Sequence, residues 1–524
     1  MKKYMKFFAF LMVLFSCSQF IKLADDNYYE ELNNKQSNNQ ILFSHNINGE
    51  THPCGCRNFP LGGIEQVNAY MQSSAEKNNQ IYVDTGDAFF ESTTIPEFLT
   101  QSSSYTAEKI AESFDLLNLK FFVPGDQDFT LGEEFLVKLS QKHKFKFLIS
   151  NASDSMKIKH IKSAYIKSGD RHLFFIGVTN PELFSFEARN IFTSPFAAIE
   201  EQLKQIEIDY KNIKNKTIIL LSHSGLEQDK LYAEKFPMIS WIIGAHTQSF
   251  LRYSIDVGST QLVQVLSRNH YLGEINIPNQ KELKSTYQLV EIRDDLKNLV
   301  SENKMSSWIE DYKNKLDQIF SKEQQSSINL FSDSKSIKTN LSCLDCHDNQ
   351  YKFWQKTSHS LALITLHQSK AENNPKCIEC HSVGFNQEGG FNSKVNMVKS
   401  DHKEFNQELY WKEFSQKVKT DKSIRSLSND QRYKISNKWL ELDQKHQLSQ
   451  NHGNVQCLNC HDQNPGHPFN NASPIAVNYQ NKCLTCHTQD QSPEWYNKDA
   501  KGLATSLNDK YFAKKLKLVS CPKN

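Results

Sequence analysis

The stretch VPGDQDFTLG, residues 123–132, follows an apolar strand pattern and precedes a helical one. Similar alternation continues from residue 41 to about residue 280. Short apolar runs, rich in Ile, Val and Phe and bounded by Gly, Asn or Ser, predict buried strands. These runs are ILFSHNI, IYVDTGDAFF, FKFLISNAS, HLFFIGVTN, TIILLSHSG, WIIGAHT, QLVQVL and LGEINI. Stretches with helical spacing, LTQSSSYTAEKIAESFDLL and SPFAAIEEQLKQIEIDYKN, lie between them. Residues 41–281 are therefore predicted to form an α/β layered domain.

Charge is balanced over the whole chain of 524 residues, with 61 Lys and Arg against 59 Asp and Glu and a formal net charge of +2. Such a chain has no general attraction to a phosphate backbone, so no nucleic-acid partner is expected. The length is sufficient for roughly two to four domains.

The N-terminus has the features of an export signal. Lys2, Lys3 and Lys6 precede the apolar run FFAFLMVLF, which is too short to cross a bilayer as a helix. The run ends in Leu-Phe-Ser-Cys17, which resembles a bacterial lipobox. We predict a signal peptide over residues 1–17, lipidation of Cys17 and a polar tether over residues 18–40. The alternative is ordinary signal cleavage beside an incidental cysteine.

The spacing of apolar residues changes after residue 281. Apolar residues then recur at three- and four-residue steps and predict an amphipathic linker, one helix or a pair, over residues 282–338 that packs against a domain. These residues are Leu296, Leu299, Val300, Trp308, Ile309, Tyr312, Leu316 and Phe320. Strand signals nearly vanish in residues 339–524, which we expect to be mainly α and coil, arranged around something other than an aliphatic core.

Four Cys-x-x-Cys-His motifs lie in this C-terminal half. They are Cys343–Cys346–His347, Cys377–Cys380–His381, Cys457–Cys460–His461 and Cys483–Cys486–His487. Two thiols one helical turn apart can add to two haem vinyl groups, and the adjoining His then ligates the iron. Zinc knuckles or redox dithiols are the competing interpretation. A His after every second Cys, in an exported chain, favours four covalently attached haem c groups.

Each haem iron has a sixth coordination position. Six further histidines are available as distal ligands: His359, His367, His402, His446, His452 and His467. Ligation of every haem by two histidines would use four of them. A haem with an open position would instead permit chemistry on a small molecule, and any one of these histidines could simply lie on the surface.

The segments CLDCHDNQYKFWQKTSHSLA, CIECHSVGFNQEGGF and CLNCHDQNPGHP resemble tetrahaem cytochromes of the c-554 type, over about residues 340–490. In that family a Trp and a small hydroxyl residue precede a His that ligates a neighbouring haem, which implies this role for His359 after Trp354 and Thr357. The family also places a ligating His shortly after the third motif, matched by His467. The insert over residues 388–450 departs from the family layout, which leaves His402, His446 and His452 unassigned.

Residues 40–280 resemble the metallophosphoesterase domain of the 5′-nucleotidase family, which implies an α/β layered sandwich. The motifs occur in the family's order: FSHNINGE, Leu61-Gly62-Gly63, VDTGDAFF, PGDQDFTLG, LLSHSGLEQD, IIGAHTQ and YLGEINI. In that family two divalent metals share an aspartate, activate a water and hold the phosphate oxygens.

The two implied metal sites differ in this chain. One would use Asp87, Asp126, His223 and His246, all able to bind manganese, zinc or iron. The other would use Asn46, Asn48, Asp87 and Gln248. Amides replace an anion and an imidazole at the two asparagines, so this second site is expected to be weak or empty.

Two further departures concern the chemistry of the site. Gln127 replaces the family's catalytic His, so a contribution of about 10²–10⁴ to the rate from acid–base catalysis is lost. His52, Cys54 and Cys56 follow the first motif; the thiols could replace lost ligands, form a disulfide or do neither. Cys521 is expected to be a bystander or a partner for a second chain.

Together these features predict an electron-transferring tetrahaem cytochrome on the periplasmic face of a bacterial membrane, held by a lipid anchor. Redox proteins or quinol-linked donors are the expected partners, and the phosphoesterase-like domain would serve as a scaffold or docking surface. One alternative is a metal-dependent phosphohydrolase with a haem redox module. Another is a haem oxidoreductase acting on a small nitrogen or oxygen compound.

Overall fold

The computed structural model describes residues 39–53, 60–75, 79–185, 189–279, 284–326, 336–462, 477–489, 491–498 and 504–522. The predicted signal peptide with Cys17, most of the tether, Cys54, Cys56 and His467 lie outside these residues. The chain divides into two compact units, the first containing most of residues 39–94 together with 107–305, and the second containing 95–106 and 306–522. Within the described ranges, every helix is too short or too polar to cross a bilayer.

A seven-stranded sheet forms one layer of the first unit, with the strand order β13-β12-β1-β2-β3-β4-β5. Strands β1 to β5 run parallel, while β12 is antiparallel to β1 and β13 is antiparallel to β12. Their bounds are β1 Asn39–Ser44, β2 Asn79–Asp84, β3 Leu119–Phe122, β4 Lys146–Leu148, β5 His160–Ile161, β12 Tyr271–Ile277 and β13 Thr286–Glu291.

A six-stranded sheet, ordered β10-β11-β9-β8-β7-β6, forms the second layer. Its strands are β6 Ser163–Ser168, β7 Arg171–Thr179, β8 Lys216–His223, β9 Trp241–Gly244, β10 Ile255–Val257 and β11 Thr260–Val263. Pairing is parallel between β7 and β8, between β8 and β9, and between β9 and β11. Buried side chains from both sheets, such as Phe43 and Val83 in one and Phe175 and Leu221 in the other, make a single core. The predicted α/β sandwich is confirmed.

Helices pack on the sandwich, and this packing buries their apolar faces. The helices of this half are α1 Ile64–Ala75, α2 Thr100–Leu116, α3 Glu133–Lys142, α4 Pro195–Asp209 and α5 Leu226–Lys235. Ile199 and Leu203 of α4 and Tyr232 of α5 pack on the outer face of the second sheet, against Phe174 and Ile218. Both stretches with helical spacing in the sequence are helices, α2 and α4.

The predicted boundary after residue 281 lies too early. Strand β13 is paired with β12 from Thr286 to Glu291, so the first unit continues through it to residue 305. The predicted linker is not one amphipathic stripe either. Residues 294–299 form a 3-10 turn in which Leu299 is 50% exposed, whereas the longer α6, Met305–Ser326, buries Ile309, Tyr312 and Leu316. A six-residue edge strand gives too little periodicity to be recognised from sequence.

The second unit consists of short helices and two small ribbons. The helices are α7 Asn340–Cys343, α8 Asp348–Trp354, α9 Ala362–Ser369, α10 Pro375–His381, α11 Gln407–Lys417, α12 Asn429–Lys445, α13 Cys457–Cys460, α14 Tyr479–Leu484 and α15 Asp509–Val519. The ribbons pair β14 Val398–Ser400 with β15 Leu448–Asn451, and β16 Tyr496–Lys498 with β17 Ala504–Leu507.

The second unit has an apolar core of its own, which corrects the expectation that no such core exists there. Leu361 and Ile364 pack with Phe391, Tyr410 and Trp439. Much of this core comes from the insert over residues 388–450, which therefore folds as packed structure around α11 and α12. Its apolar residues are spread among many charges, so composition alone concealed the core.

Candidate functional site

Four polar side chains lie where strands of both sheets end. Asp87 follows β2, Asp126 follows β3, His223 is the last residue of β8, and His246 follows β9. Strands β2 and β3 are parallel in one sheet, and β8 and β9 are parallel in the other, so each pair ends at one edge of its own sheet. The closeness of the four side chains shows that the two edges lie together. Ligands commonly bind at such edges of α/β proteins.

The ligand atoms of these four residues all lie within 4.8 Å of one another. His223 Nε2 is 3.3 Å from Asp87 Oδ2 and 3.3 Å from Asp126 Oδ1. His246 Nδ1 is 3.1 Å from Asp126 Oδ1. The structure thus brings together the whole ligand set proposed from sequence for the first metal site.

The surroundings of this cluster suit a cation. The Nδ1–H of His223 donates to the carbonyl of Thr85 over 2.6 Å, which directs Nε2 toward the two carboxylates. Burial disfavours the charged imidazole, but Asp87 and Asp126 outweigh burial and raise the pKa of His223 well above its usual value. Burial likewise opposes the charge on Asp126, yet His223 and His246 hold the pKa of that carboxyl below its usual range. Two carboxylates and two imidazoles are a suitable donor set for one manganese, zinc or iron ion.

The proposed second metal site is arranged differently. Asn46 Nδ2 donates to Asp87 Oδ2 over 2.9 Å, and Asn46 Oδ1 accepts from His45 Nδ1 and from the backbone N–H of His246. The backbone N–H of Asn48 donates to the carbonyl of Asp87, and its buried Oδ1 has no hydrogen-bond partner among the described residues. Gln248 is half-buried with a positive φ of 49°. The hydrogen bonds of Asn46 therefore leave that amide no free oxygen lone pair for a metal.

In the second unit the four haem motifs lie near one another. Interaction with Cys457, in the third motif, lowers the pKa of the Cys343 thiol in the first motif to about 7. Interaction with Cys486, in the fourth motif, raises the pKa of the Cys380 thiol in the second motif. Burial, together with Cys483 and Cys486, also raises the pKa of the Cys460 thiol in the third. Cys521 lies close enough to Cys457 to influence its ionisation, so the C-terminal cysteine lies near the third motif.

Contacts fix the rings of two proximal histidine candidates. His381 Nδ1 is 2.6 Å from the carbonyl of Ala362, and His487 Nδ1 is 2.9 Å from Ser492 Oγ. The His487 ring also stacks on Trp495, with 4.1 Å between ring centroids. A hydrogen bond at Nδ1 orients the ring and leaves Nε2 as the ligating atom, which is the usual arrangement of a metal-bound His.

Two distal candidates have an environment that fits ligation. His452 is fully buried, and its Nδ1 is 2.9 Å from the carbonyl of Val383. Its buried Nε2 has no hydrogen-bond partner among the described residues, and burial lowers its pKa to about 4. The ring of His359 lies 6.5 Å from that of His487, measured between centroids. The preceding Trp354 donates its Nε1–H to the carbonyl of Val455 over 2.8 Å.

The other described candidates have protein partners or lie at the surface. His367 Nδ1 pairs with Glu372. His446 Nε2 is 3.6 Å from Glu413 Oε2 and has no hydrogen-bond partner among the described residues. His402 is exposed in a turn, where its Nδ1 accepts the backbone N–H of Glu404. These contacts account for His367 and His402 without a haem.

Known proteins similar to this chain match the family resemblance stated for each half. Residues 342–404 match the family described as cytochrome c554 and c-prime. The N-terminal half is similar to mouse 5′-nucleotidase, with 24% identity over 202 residues that cover 36% of this chain and 33% of that protein. It is also similar to the uncharacterized metallophosphoesterase YunD of Bacillus subtilis, with 27% identity over 228 residues, 41% of this chain and 45% of that protein.

The chain joins a 5′-nucleotidase-like domain to a cytochrome c554-type region. The resemblances stated from the sequence motifs are thereby confirmed. Matched segments span less than half the length of these curated relatives.

Solved structures similar to the chain include a Thermus thermophilus 5′-nucleotidase precursor, with a TM-score of 0.44, 14% identity, and coverage of 63% of this chain and 67% of that one. Another is the calcineurin-like phosphoesterase YfkN from Bacillus subtilis, with a TM-score of 0.44, 16% identity, and coverage of 54% of this chain and 99% of that one.

Asp128 is a residue of the 5′-nucleotidase-like domain that sequence reasoning missed. Its Oδ1 accepts the backbone N–H groups of Ala88 and Phe89, and its Oδ2 accepts those of Asp87 and Gly125, all at 2.8–3.0 Å. Burial and the Asp87 carboxylate raise the pKa of Asp128 to about 7, while its N–H donors act in the opposite direction. Asp128 therefore ties the loop of Asp87 to the loop of Asp126. The available signal in the sequence was the position of Asp128, two residues after the candidate metal ligand Asp126.

Gly125 allows this close approach of the two loops. A Cβ at this position would lie 2.2 Å from Asp87 Oδ1 and 2.3 Å from His223 Cε1. Any side chain would displace two members of the ligand set.

Gln127 lies in the same loop. Its backbone N–H donates to Asp87 Oδ1 over 3.0 Å. Its buried Oε1 has no hydrogen-bond partner in the described part of the chain. An amide at this position cannot exchange a proton near neutral pH.

Proposed function

We propose that this protein is an exported multihaem c-type cytochrome that transfers electrons, and that its 5′-nucleotidase-like domain does not hydrolyse phosphate esters efficiently. The proximity of the four motifs carries the proposal. Thiols of the first and third motifs, of the second and fourth, and of the third and fourth lie close enough to affect one another's ionisation. Groups attached at such neighbouring positions would lie close together, as a chain of electron carriers requires.

Four haem c groups would be held by the cysteine pairs and the adjoining His347, His381, His461 and His487. Bound haem iron supplies one-electron transfer. The chain's own residues set the surroundings: Ala362 and Ser492 orient two proximal rings, and Trp495 covers one of them. His359 and His452 are our choices as distal ligands among the described histidines.

Single-metal binding is proposed for the N-terminal domain, at Asp87, Asp126, His223 and His246. A divalent cation there would supply Lewis acidity. Gln127 provides no group that exchanges a proton, so the chain lacks acid–base assistance at that position. We propose that the domain acts as a scaffold or docking surface for redox proteins or quinol-linked donors.

Export and lipid anchoring through Cys17 complete the proposal and rest on the sequence of the first 17 residues. They would place the haems on the periplasmic face of a bacterial membrane.

Haem content and redox stoichiometry test this function. The matured full chain should show four haems per polypeptide and accept four electrons in a reductive titration. Replacing Cys457 and Cys460 by Ala should remove one haem and one electron. A matched change of Cys521 to Ala should alter neither count. A wild-type chain without covalent haem would refute the proposal.

The intact four-ligand cluster also supports a second candidate, a metal-dependent phosphohydrolase with a haem module. This candidate requires turnover of a phosphate ester that Asp87→Ala abolishes. Absence of turnover in the metal-loaded wild-type chain would exclude it for the esters tested.

A further inference from the structure

The side of Asp87 that faces the first sequence motif is already occupied. Asp87 Oδ2 accepts the Nδ2–H of Asn46 over 2.9 Å, and Asp87 Oδ1 accepts the backbone N–H of Gln127 over 3.0 Å. An aspartate that bridges two cations uses its oxygen lone pairs on both metals. Here an amide N–H points at one of those oxygens instead.

The orientation of the Asn46 amide follows from its neighbours. The backbone N–H of His246 can only donate, and it lies 3.2 Å from Asn46 Oδ1. The atom that faces this donor must be the oxygen, so the atom that faces Asp87 is the NH₂ group. The usual ambiguity between amide oxygen and nitrogen is thereby removed.

His45 supplies the second donor to the same oxygen. The backbone N–H of Val265 lies 2.8 Å from His45 Nε2, so Nε2 accepts and the proton of the neutral ring is on Nδ1. His45 Nδ1 lies 2.8 Å from Asn46 Oδ1. A chain of hydrogen bonds therefore runs from Val265 through His45 and Asn46 to Asp87, and each donor in it has a defined direction.

We propose that His45 and Asn46 form a built-in substitute for a second cation, so that the centre binds one divalent metal and excludes another. The Asn46 amide gives Asp87 a positive hydrogen-bond partner where a second metal would bind, and its oxygen is used by two donors. This inference rests on the single-metal centre of the proposed function and adds the residues that enforce the stoichiometry.

The charge balance supports exclusion of a second cation. Asp87 and Asp126 together neutralise one divalent ion. The remaining residues proposed for the second site are Asn46, Asn48 and Gln248, which are neutral amides and weak ligands for a transition metal. A second ion would have to break the Asn46 hydrogen bonds and would gain no new anionic ligand.

The test measures metal per chain in the haem-loaded full-length protein after removal of loosely bound ions and dialysis against Mn²⁺. We expect one manganese in the wild type. Asn46→Asp removes the amide donor and supplies an anion, and should raise the count to two. Asn48→Asp is the matched control, because it adds a carboxylate nearby but leaves the Asn46 chain intact; its count should remain one.

Electron paramagnetic resonance of the same samples, with the haems reduced, gives a readout independent of counting. One isolated Mn²⁺ signal is expected for the wild type and the Asn48→Asp variant, and a spin-coupled pair for Asn46→Asp. Two coupled manganese ions in the wild type would overturn the proposal, as would a pair in Asn48→Asp. A count of one in folded Asn46→Asp would also overturn it.

If Asn46→Asp does not fold, the count of manganese ions bound to the wild-type chain still tests the proposal, since a second bound ion would refute it. A wild-type chain that binds no manganese would refute both this proposal and the proposed single-metal centre. The electron-transfer function is judged separately, from the haem content of the same sample.

Discussion

Asp128→Asn should loosen the two loops that carry Asp87 and Asp126. The carboxylate of Asp128 accepts four backbone N–H groups, two at each oxygen. An asparagine retains one oxygen and turns an NH₂ group toward the other two donors. Both of those buried N–H groups would lose their acceptor.

The magnitude follows from the number of donors left without a partner. Each unsatisfied buried donor costs about 1–3 kcal/mol, so two cost about 2–6 kcal/mol of local stability. Since about 1.4 kcal/mol is a factor of ten in an equilibrium constant, local opening should become at least about 30-fold more frequent.

Hydrogen exchange followed by mass spectrometry measures this opening directly. Peptides covering residues 83–90 and 123–130 should exchange faster in Asp128→Asn, while peptides from residues 216–223 should change little. Asp115→Asn is the matched control, because Asp115 also accepts a backbone N–H, that of Lys144, but has a side chain that is 21% exposed and accessible to water. Unchanged exchange in both loops of Asp128→Asn would refute the assigned cross-link.

Three other changes test other parts of the molecule. Asp87→Ala should abolish manganese binding and leave the haem spectrum unchanged, as checked by elemental analysis; retained manganese would place the metal elsewhere. His452→Ala should convert one low-spin haem to a high-spin haem that binds cyanide, whereas His402→Ala, at an exposed turn, should leave the spectrum as in the wild type; matching spectra for the two variants would exclude His452 as a ligand. Asp443 is buried between Tyr410 and Asn451, and burial raises its pKa to about 7. The folded protein therefore holds an extra proton between about pH 4 and pH 7, so the free energy of unfolding should fall as the pH rises through that window. Asp443→Asn should reduce this fall, measured as urea midpoints at about pH 5 and pH 8, and an unaltered pH dependence would contradict the assignment.

Sequence reasoning was most successful where a residue's role depends on its near neighbours in the chain. Apolar runs separated by helical stretches indicated the layered α/β domain, and the resemblance of short local motifs to the 5′-nucleotidase family implied Asp87, Asp126, His223 and His246 as metal ligands. The Cys-x-x-Cys-His motifs are likewise local, since covalent haem attachment needs a fixed short spacing.

The edge strand β13 and the packed insert around Tyr410 and Trp439 were not predicted. Their stability comes from contacts with segments that are distant in the chain, and short or highly charged segments show little periodicity of their own. The role of Asp128 was missed for the same reason, because it depends on backbone N–H groups about 40 residues earlier in the chain.

The sequence by itself determined the two kinds of domain, and it predicted the haem attachment residues and the four candidate metal ligands. Only the tertiary structure decided that the four haem motifs lie near one another, and that His452 is buried with an unpartnered nitrogen among the described residues. It also decided the direction of the Asn46 amide. From sequence, Asn46 was only a weak ligand; in the folded protein the backbone donors of Val265 and His246, more than 190 residues away, fix its amide as a donor to Asp87. Hydrogen-bond direction depends on what surrounds a group in space, and neither composition nor spacing contains that information.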